Sequence, residues 1–214
     1  MARENGFPIF MLGIVLLPTE STVLHVFEER YKELTNLCIE ESRQFGVVYT
    51  DGQDGAPSEF GCATHIDRVI ERFDDGRMNV VVTGIEPIRL VEMEGGLSYP
   101  SAAIERLTDS VGPESADGDQ LDRTRAAYAA LVEAISGEPP DADETDLLYA
   151  YEMAAQVNLD ESDKLLLLES RDEDVRLASL EGVFTAGAKS VAETRELASR
   201  AKTNGHGRYP RSSE

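Results

Sequence analysis

The sequence predicts a mixed α+β fold: an antiparallel, barrel-like β core with one inserted helix in the N-terminal half, followed by a C-terminal helical bundle. Three observations carry this. Within the 24 residues from Pro8 to Tyr31 lie three strand-like apolar runs and a helix start, too short a span for parallel crossover connections. From Phe60 to Glu94 the chain gives its clearest hairpin signal, and beyond Leu121 every apolar repeat has helical spacing.

In chain order, Ile9–Leu12 and Ile14–Leu17 are two apolar runs of four, separated by Gly13 and bounded by Pro8 and Pro18. They read as short strands that turn a corner. Val23–Phe27 is a third strand and leads into a helix over 27–44. That helix has Phe27, Tyr31, Leu34, Leu37 and Cys38 on one stripe, and Glu28, Glu29 and Glu33 sit near its positive end. Val47–Tyr49 is a strand and Asp51–Ser58 a Gly- and Asp-rich loop. Phe60–Phe73 and Met78–Val82 form a hairpin across Asp74–Arg77, Gly84 marks a bulge or corner, and Ser101–Leu107 closes the β half. Asp109–Asp119 is acidic, contains Gly, Ser and Pro, and reads as a mobile linker. Helices follow over 121–136, 145–157, 164–169 and 172–202. The expected division is therefore a β-barrel domain at 1–107, a linker at 108–120, a helical bundle at 121–202 and a disordered tail at 203–214.

The formal net charge is −21, from 41 acids and 20 bases spread over both halves. Such a surface repels phosphate backbones and anionic lipid, which argues against nucleic acid and membranes as partners. Cys38 and Cys62 permit at most one disulfide and read as buried free thiols in a reducing cytoplasm. The apolar stretch Phe7–Pro18 is too short to span a bilayer and lacks the basic flank of a signal peptide.

The opening stretch carries a family pattern: Phe10, Leu12, Gly13, Val15, Leu16 and Pro18, then Leu24, His25, Phe27, Glu28, Arg30 and Tyr31. It resembles the start of the LON substrate-binding domain, which begins ATP-dependent Lon proteases and also occurs as a stand-alone bacterial protein and within cereblon. Met11, where the family usually has a second proline, and Thr19-Glu20-Ser21 depart from the pattern. Gly61, then Gly76, Arg77 and Gly84, then Ile88 and Arg89 continue the resemblance to residue 107. A weaker match covers Asn158–Leu177. The resemblance implies a PUA-like barrel and a non-catalytic module without a cofactor. Its implied partners are unfolded or degron-bearing polypeptide and a separate protease.

No catalytic constellation stands beside this. Gly182 to Ser190 approaches a phosphate-binding loop, but it has one residue too many before Lys189 and lies in a helical run. His25, His65 and His206 lack metal-ligand spacing, and Ser21 and Ser42 lack a nucleophile setting. Glu28 and Arg30 read as a structural ion pair at the strand–helix join, with a ligand-gripping Arg30 beside an exposed aromatic as the functional alternative. Tyr31, Tyr149 and Tyr151 are the candidate binding residues; Tyr149 and Tyr151 must face different ways on one helix, which would leave one exposed. The rival reading is a small-molecule-binding or enzymatic domain that reuses the barrel. A deep closed pocket with polar groups of perturbed ionisation would favour that rival, and a shallow apolar groove favours peptide.

Overall fold

The computed structural model describes residues 3–52 and 55–204, with side chains described through residue 198. β1 (Arg3–Leu12) buries Phe7, Ile9 and Phe10. The second apolar run is not a strand, contrary to expectation: Ile14–Leu17 is irregular, although Val15, Leu16 and Leu17 are buried. At its end the backbone of Leu17 is taken locally. The Leu17 N–H donates to the Glu20 carboxylate at 3.0 Å, and the Glu20 N–H donates to the Leu17 carbonyl at 3.2 Å, so neither is left for a ladder.

β2 (Ser21–Val26), α1 (Glu29–Glu40), β3 (Phe45–Thr50), β4 (Pro57–Arg72), β5 (Met78–Glu94) and β6 (Ser101–Arg106) complete the sheet. The strand order is β2-β5-β4-β3-β1-β6, and β5 also pairs with β6, so β1, β3, β4, β5 and β6 return on themselves while β2 is added beside β5. The long β5 makes this possible: Met78–Thr83 pairs with β2, and Ile88–Glu94 pairs with β6. The all-antiparallel expectation fails at one pair. β1 and β3 run parallel, with Ile9 opposite Gly46, because β2 and α1 lie between them and supply the crossover. The core inside the sheet includes Phe7, Ile9, Val48, Ile88 and Ile104.

Gly84 marks the corner. A Cβ there would stand 2.1 Å from the Leu17 carbonyl oxygen, and the β4–β5 ladder shifts register beside it, between Ala63 and Thr64. Only glycine allows the 13–20 loop to lie this close. Gly76 closes the hairpin turn with φ +82°.

α2 (Gly118–Ser136) starts under an Asp117 side chain that accepts from the Gln120 N–H, and Gly137 stops it in the left-handed conformation. The helix expected over 145–157 is two, α3 (Ala142–Thr145) and α4 (Ala150–Ala155). Carboxylates create the second start: Glu152 accepts from the Tyr149 N–H and the buried Glu173 from the Ala150 N–H, at 2.8 Å in the latter case. α5 (Glu161–Glu169) and α6 (Glu173–Asn204) follow. Of the tail expected over 203–214, residues 203–204 end α6 and the remainder lies outside the described residues.

The helices expected to form one bundle divide between two compact units. The first unit comprises the chain to Ala116 together with Tyr149–Arg176; the second comprises Asp117–Leu148 and the chain from Leu177 on. In the first, α5 packs against β4 and β5, and the start of the expected linker is bonded down. The Ser110 N–H donates to the Arg171 carbonyl at 2.7 Å, and the Glu173 N–H to the Val111 carbonyl at 2.9 Å. Arg176 locks this junction. It is 1% exposed, ion-paired to Asp109 and Glu173, and lies over the Tyr151 ring. Burial alone would lower its pKa, but the Asp109, Tyr151 and Glu173 interactions more than offset that and raise it. The second unit packs Tyr128 against Phe184 edge-on and bonds the Thr124 hydroxyl to the Leu177 carbonyl at 3.0 Å.

Candidate functional site

Where β1 ends and α1 begins, the first unit has an apolar groove of about 330 Å³. One wall is the end of β1 and the loop after it, with Phe10, Leu12, Gly13 and Ile14. The other wall is the run from Val23 to Glu28. Period-two alternation shapes that second wall: Leu24 and Val26 turn into the core, and Val23 and His25 turn out. Phe27 follows on the open side. Val23 at 55%, Phe27 at 58% and Ile14 at 37% exposed leave a group of large apolar side chains in water around one depression. A second depression of about 320 Å³ continues past Leu12, Gly13, Phe27 and Glu28 to Arg30, Thr50 and Gly55.

Tyr31 is buried and lines the groove from below. Its ring stacks on Phe10 at 4.5 Å, and its hydroxyl donates to the Met11 carbonyl at 3.1 Å while accepting the Met11 N–H at 3.2 Å. Burial raises its pKa, the Met11 hydrogen bond opposing. It is therefore a neutral phenol that holds the end of β1 in place. The Ile14 wall is held from outside the groove: Lys164 of α5 ion-pairs with Glu20 at 2.5 Å and donates to the Val15 carbonyl at 3.4 Å. Glu20, in the turn that departs from the family pattern, thus joins α5 to the groove loop.

Of the three tyrosines singled out in the sequence, only Tyr31 reaches the groove. Tyr149 and Tyr151 are both half-buried, so neither is the exposed one of a pair; the Tyr151 hydroxyl donates to the Leu167 carbonyl at 3.0 Å. Glu28 and Arg30 are ion-paired at 2.8 Å on the groove rim, and the guanidinium lies 4.6 Å over the Tyr31 ring. The Arg30 side chain is 43% exposed, so the pair is a solvated one. Of the structural motif residues, Phe10, Leu12, Gly13, His25, Phe27 and Glu28 line the groove, whereas Pro18 bridges to Gly84 and Gly61 pairs with Val48 and Ile88 inside the ring. Sequence reasoning did not single out Val23 or Ile14, the first residues of two apolar runs read as strands. The alternation at Val23 and the broken strand at Ile14 were the available signals.

The groups that could do chemistry are arranged otherwise. His65 Nε2 meets Asp67 at 2.6 Å, Asp67 accepts from the Thr83 hydroxyl at 2.5 Å, and Thr83 meets Ser21 at 2.7 Å. The carboxylate stands between hydroxyl and imidazole, so His65 is not placed to take a proton from either hydroxyl. Among the described residues no three His, Cys, Asp or Glu side chains converge as metal ligands, and no helix is long and apolar enough to cross a membrane. Cys38 and Cys62 are free and buried, and burial pushes both thiols up to about 12. The Gly182–Ser190 segment lies in the interior of the helix α6 and does not form the loop between a strand and a helix that a phosphate loop requires.

Comparison with known proteins bears on the fold and on the family. A LON peptidase N-terminal domain and RING finger protein of Schizosaccharomyces pombe is 26% identical over 125 residues, half of this chain; the chain spans a quarter of that protein's length. The crystal structure of a Lon N-terminal domain protein from Xanthomonas campestris superposes with a TM-score of 0.59 at 23% identity, covering 84% of this chain and 97% of that one. The N-terminal domain of the Mycobacterium avium complex Lon protease gives 0.58 at 19% identity, covering 85% and 98%. These two likenesses concern the fold. Residues 6–182 match the family described as the ATP-dependent protease La (LON) substrate-binding domain, and this chain belongs to that family.

Proposed function

We propose that this chain is a non-catalytic polypeptide-recognition module that takes unfolded or degron-bearing segments into the groove beside Phe27. One observation carries the reading: Ile14, Val23 and Phe27 stand exposed together around one open depression, in a chain of net charge −21. An extended chain supplies what such a depression lacks, apolar side chains at regular intervals, and family membership supports substrate recognition as the task. The strongly perturbed groups are buried thiols and aromatic or guanidinium groups with structural partners, which favours this reading over an enzymatic one.

In this reading the closed ring of β1, β3, β4, β5 and β6 is a PUA-like barrel, and a separate protease receives what the groove captures. The two free thiols support a cytoplasmic setting, and the charge of −21 argues against nucleic acid. Affinity for a flexible segment is on the order of micromolar, because ordering the ligand offsets much of the contact energy. The test is anisotropy titration of labelled unfolded peptides against the protein and its Phe27→Ser variant, with far-UV circular dichroism confirming that the variant is folded. Weakened binding to the variant is expected; equal binding to both removes the groove from the reading.

A further inference from the structure

We propose that the open edge of β2 is a strand-addition site, at which an extended segment with alternating apolar residues and basic flanks pairs main chain to main chain. This rests on the groove being a polypeptide site and specifies how the polypeptide is held and what its chemistry is.

Among the described residues β2 pairs with β5 alone, so its other edge is unmatched in the sheet. The ladder is regular from Ser21–Thr83 to Val26–Met78. Its phase follows from the Gly84 N–H, which donates to the Glu20 carbonyl at 3.0 Å just before the strand. Alternation then places Thr22, Leu24 and Val26 in the hydrogen-bonded pairs and turns the N–H and C=O of Ser21, Val23 and His25 to the free side. Two side-chain contacts agree. Ser21 meets Thr83 at 2.7 Å and His25 Nδ1 meets Asn79 Oδ1 at 2.6 Å, as expected of the narrower, non-hydrogen-bonded pairs.

That edge faces the groove. A strand that presents one face to a cavity lines it with every second residue, whereas here Val23, Leu24, His25, Val26 and Phe27 all line it in succession. The edge also lacks the usual protection: Ser21–Val26 contains no Lys, no Pro and no bulge. The missing partner is therefore another strand. Its apolar side chains meet Val23, Phe27 and Ile14 in alternation.

Charge selects among strands. The start of α1 and the β4–β5 hairpin tip, joined by the Lys32 hydrogen bond to the Asp75 carbonyl, carry Glu28, Glu29, Glu33, Asp74 and Asp75 against Arg30, Lys32 and Arg77. The whole chain is at −21, so a second copy of itself is repelled and a basic-flanked segment is attracted.

The probe is the peptide Lys-Lys-Val-Thr-Val-Thr-Val-Thr-Lys-Lys, used with three relatives. Two are N-methylated, one at the valines and one at the threonines, and the third has Glu in place of every Lys. N-methylation removes backbone donors and keeps the side chains, and in an extended strand the two sets point to opposite sides. One N-methylated peptide is expected to bind about tenfold or more weakly than the parent, and the other within about twofold of it. The Glu-flanked peptide should bind more weakly, with the gap narrowing in high salt. Parent-like binding by both N-methylated peptides would overturn strand addition while leaving polypeptide recognition standing. Equal binding of the Lys- and Glu-flanked peptides would overturn the charge selection. No binding of the parent or of any unfolded peptide at several hundred micromolar would remove recognition and strand addition together. A dimer that dissociates on peptide addition, seen by sedimentation velocity, would name a second copy as the occupant of the edge and overturn the proposal.

Discussion

Replacing Arg176 with Ala is expected to loosen the first unit far more than replacing Arg30. The Arg176 Nε donates to Glu173 at 2.9 Å, and its Nη1 donates to Asp109 and to the Ser170 carbonyl at 3.0 Å each. Glu173 is 0% exposed, so removing the guanidinium strands a carboxylate in the interior. Breaking such a pair on one side costs about 3–5 kcal/mol, against about 0.2–1 kcal/mol for a solvated pair such as Glu28–Arg30. For a chain of this size each kcal/mol is roughly 2–4 °C in melting temperature, so Arg176→Ala should melt about 6–20 °C lower and Arg30→Ala within about 4 °C of the parent. Thermal melts followed by circular dichroism measure this. Amide exchange at Ser110 and Ala150 localises the loss, since the Ser110 N–H is bonded to Arg171 and the Ala150 N–H to Glu173. A parent-like melt for Arg176→Ala, or an equal fall for Arg30→Ala, would refute the assignment of Arg176 as the lock of this junction.

Two further outcomes are expected. Gly84→Ala must move the Leu17 carbonyl away from the new Cβ and should cost about 1–3 kcal/mol, read as a lower urea midpoint; an unchanged midpoint would mean that the 13–20 loop does not lie against β5. Cys38 and Cys62 have thiols raised from 9.0 to about 12, so the unfolded chain loses these protons first as pH rises. Their contribution is fully present below pH 9 and is lost between pH 9 and about 12. The urea midpoint should therefore fall from pH 8 to pH 10.5, less steeply in a Cys38→Ala/Cys62→Ala variant; the same slope in both would contradict it.

Much of the β half was legible because its signals are local. The hairpin at Asp74–Arg77, the corner at Gly84 and the strand Val23–Phe27 each depend on turn chemistry or alternation over a few residues. What was not legible depends on distant partners. Ile14–Leu17 has strand composition, yet Glu20 takes the backbone groups of Leu17, and Lys164, far along the chain, takes Glu20. The helix over 145–157 breaks because Glu173 caps a new start at Ala150. β1 pairs parallel to β3, a choice no spacing within Pro8–Tyr31 reveals. Tyr31, expected beside the strand–helix join, lines the groove. Tyr149 and Tyr151 were grouped with it by residue type, and packing separates them.

The most direct measurement is to map a bound peptide on the protein by backbone amide chemical shifts. Titrating the Lys-flanked peptide into the isotopically labelled chain, recognition in the groove predicts that the largest shifts cluster at Leu12–Ile14 and Val23–Tyr31. It also predicts that they vanish in Phe27→Ser and that the Val23 and His25 amides gain exchange protection. Shifts that instead cluster around the depression between α1 and β4, at Cys38–Arg43 and His65–Val69, would contradict it.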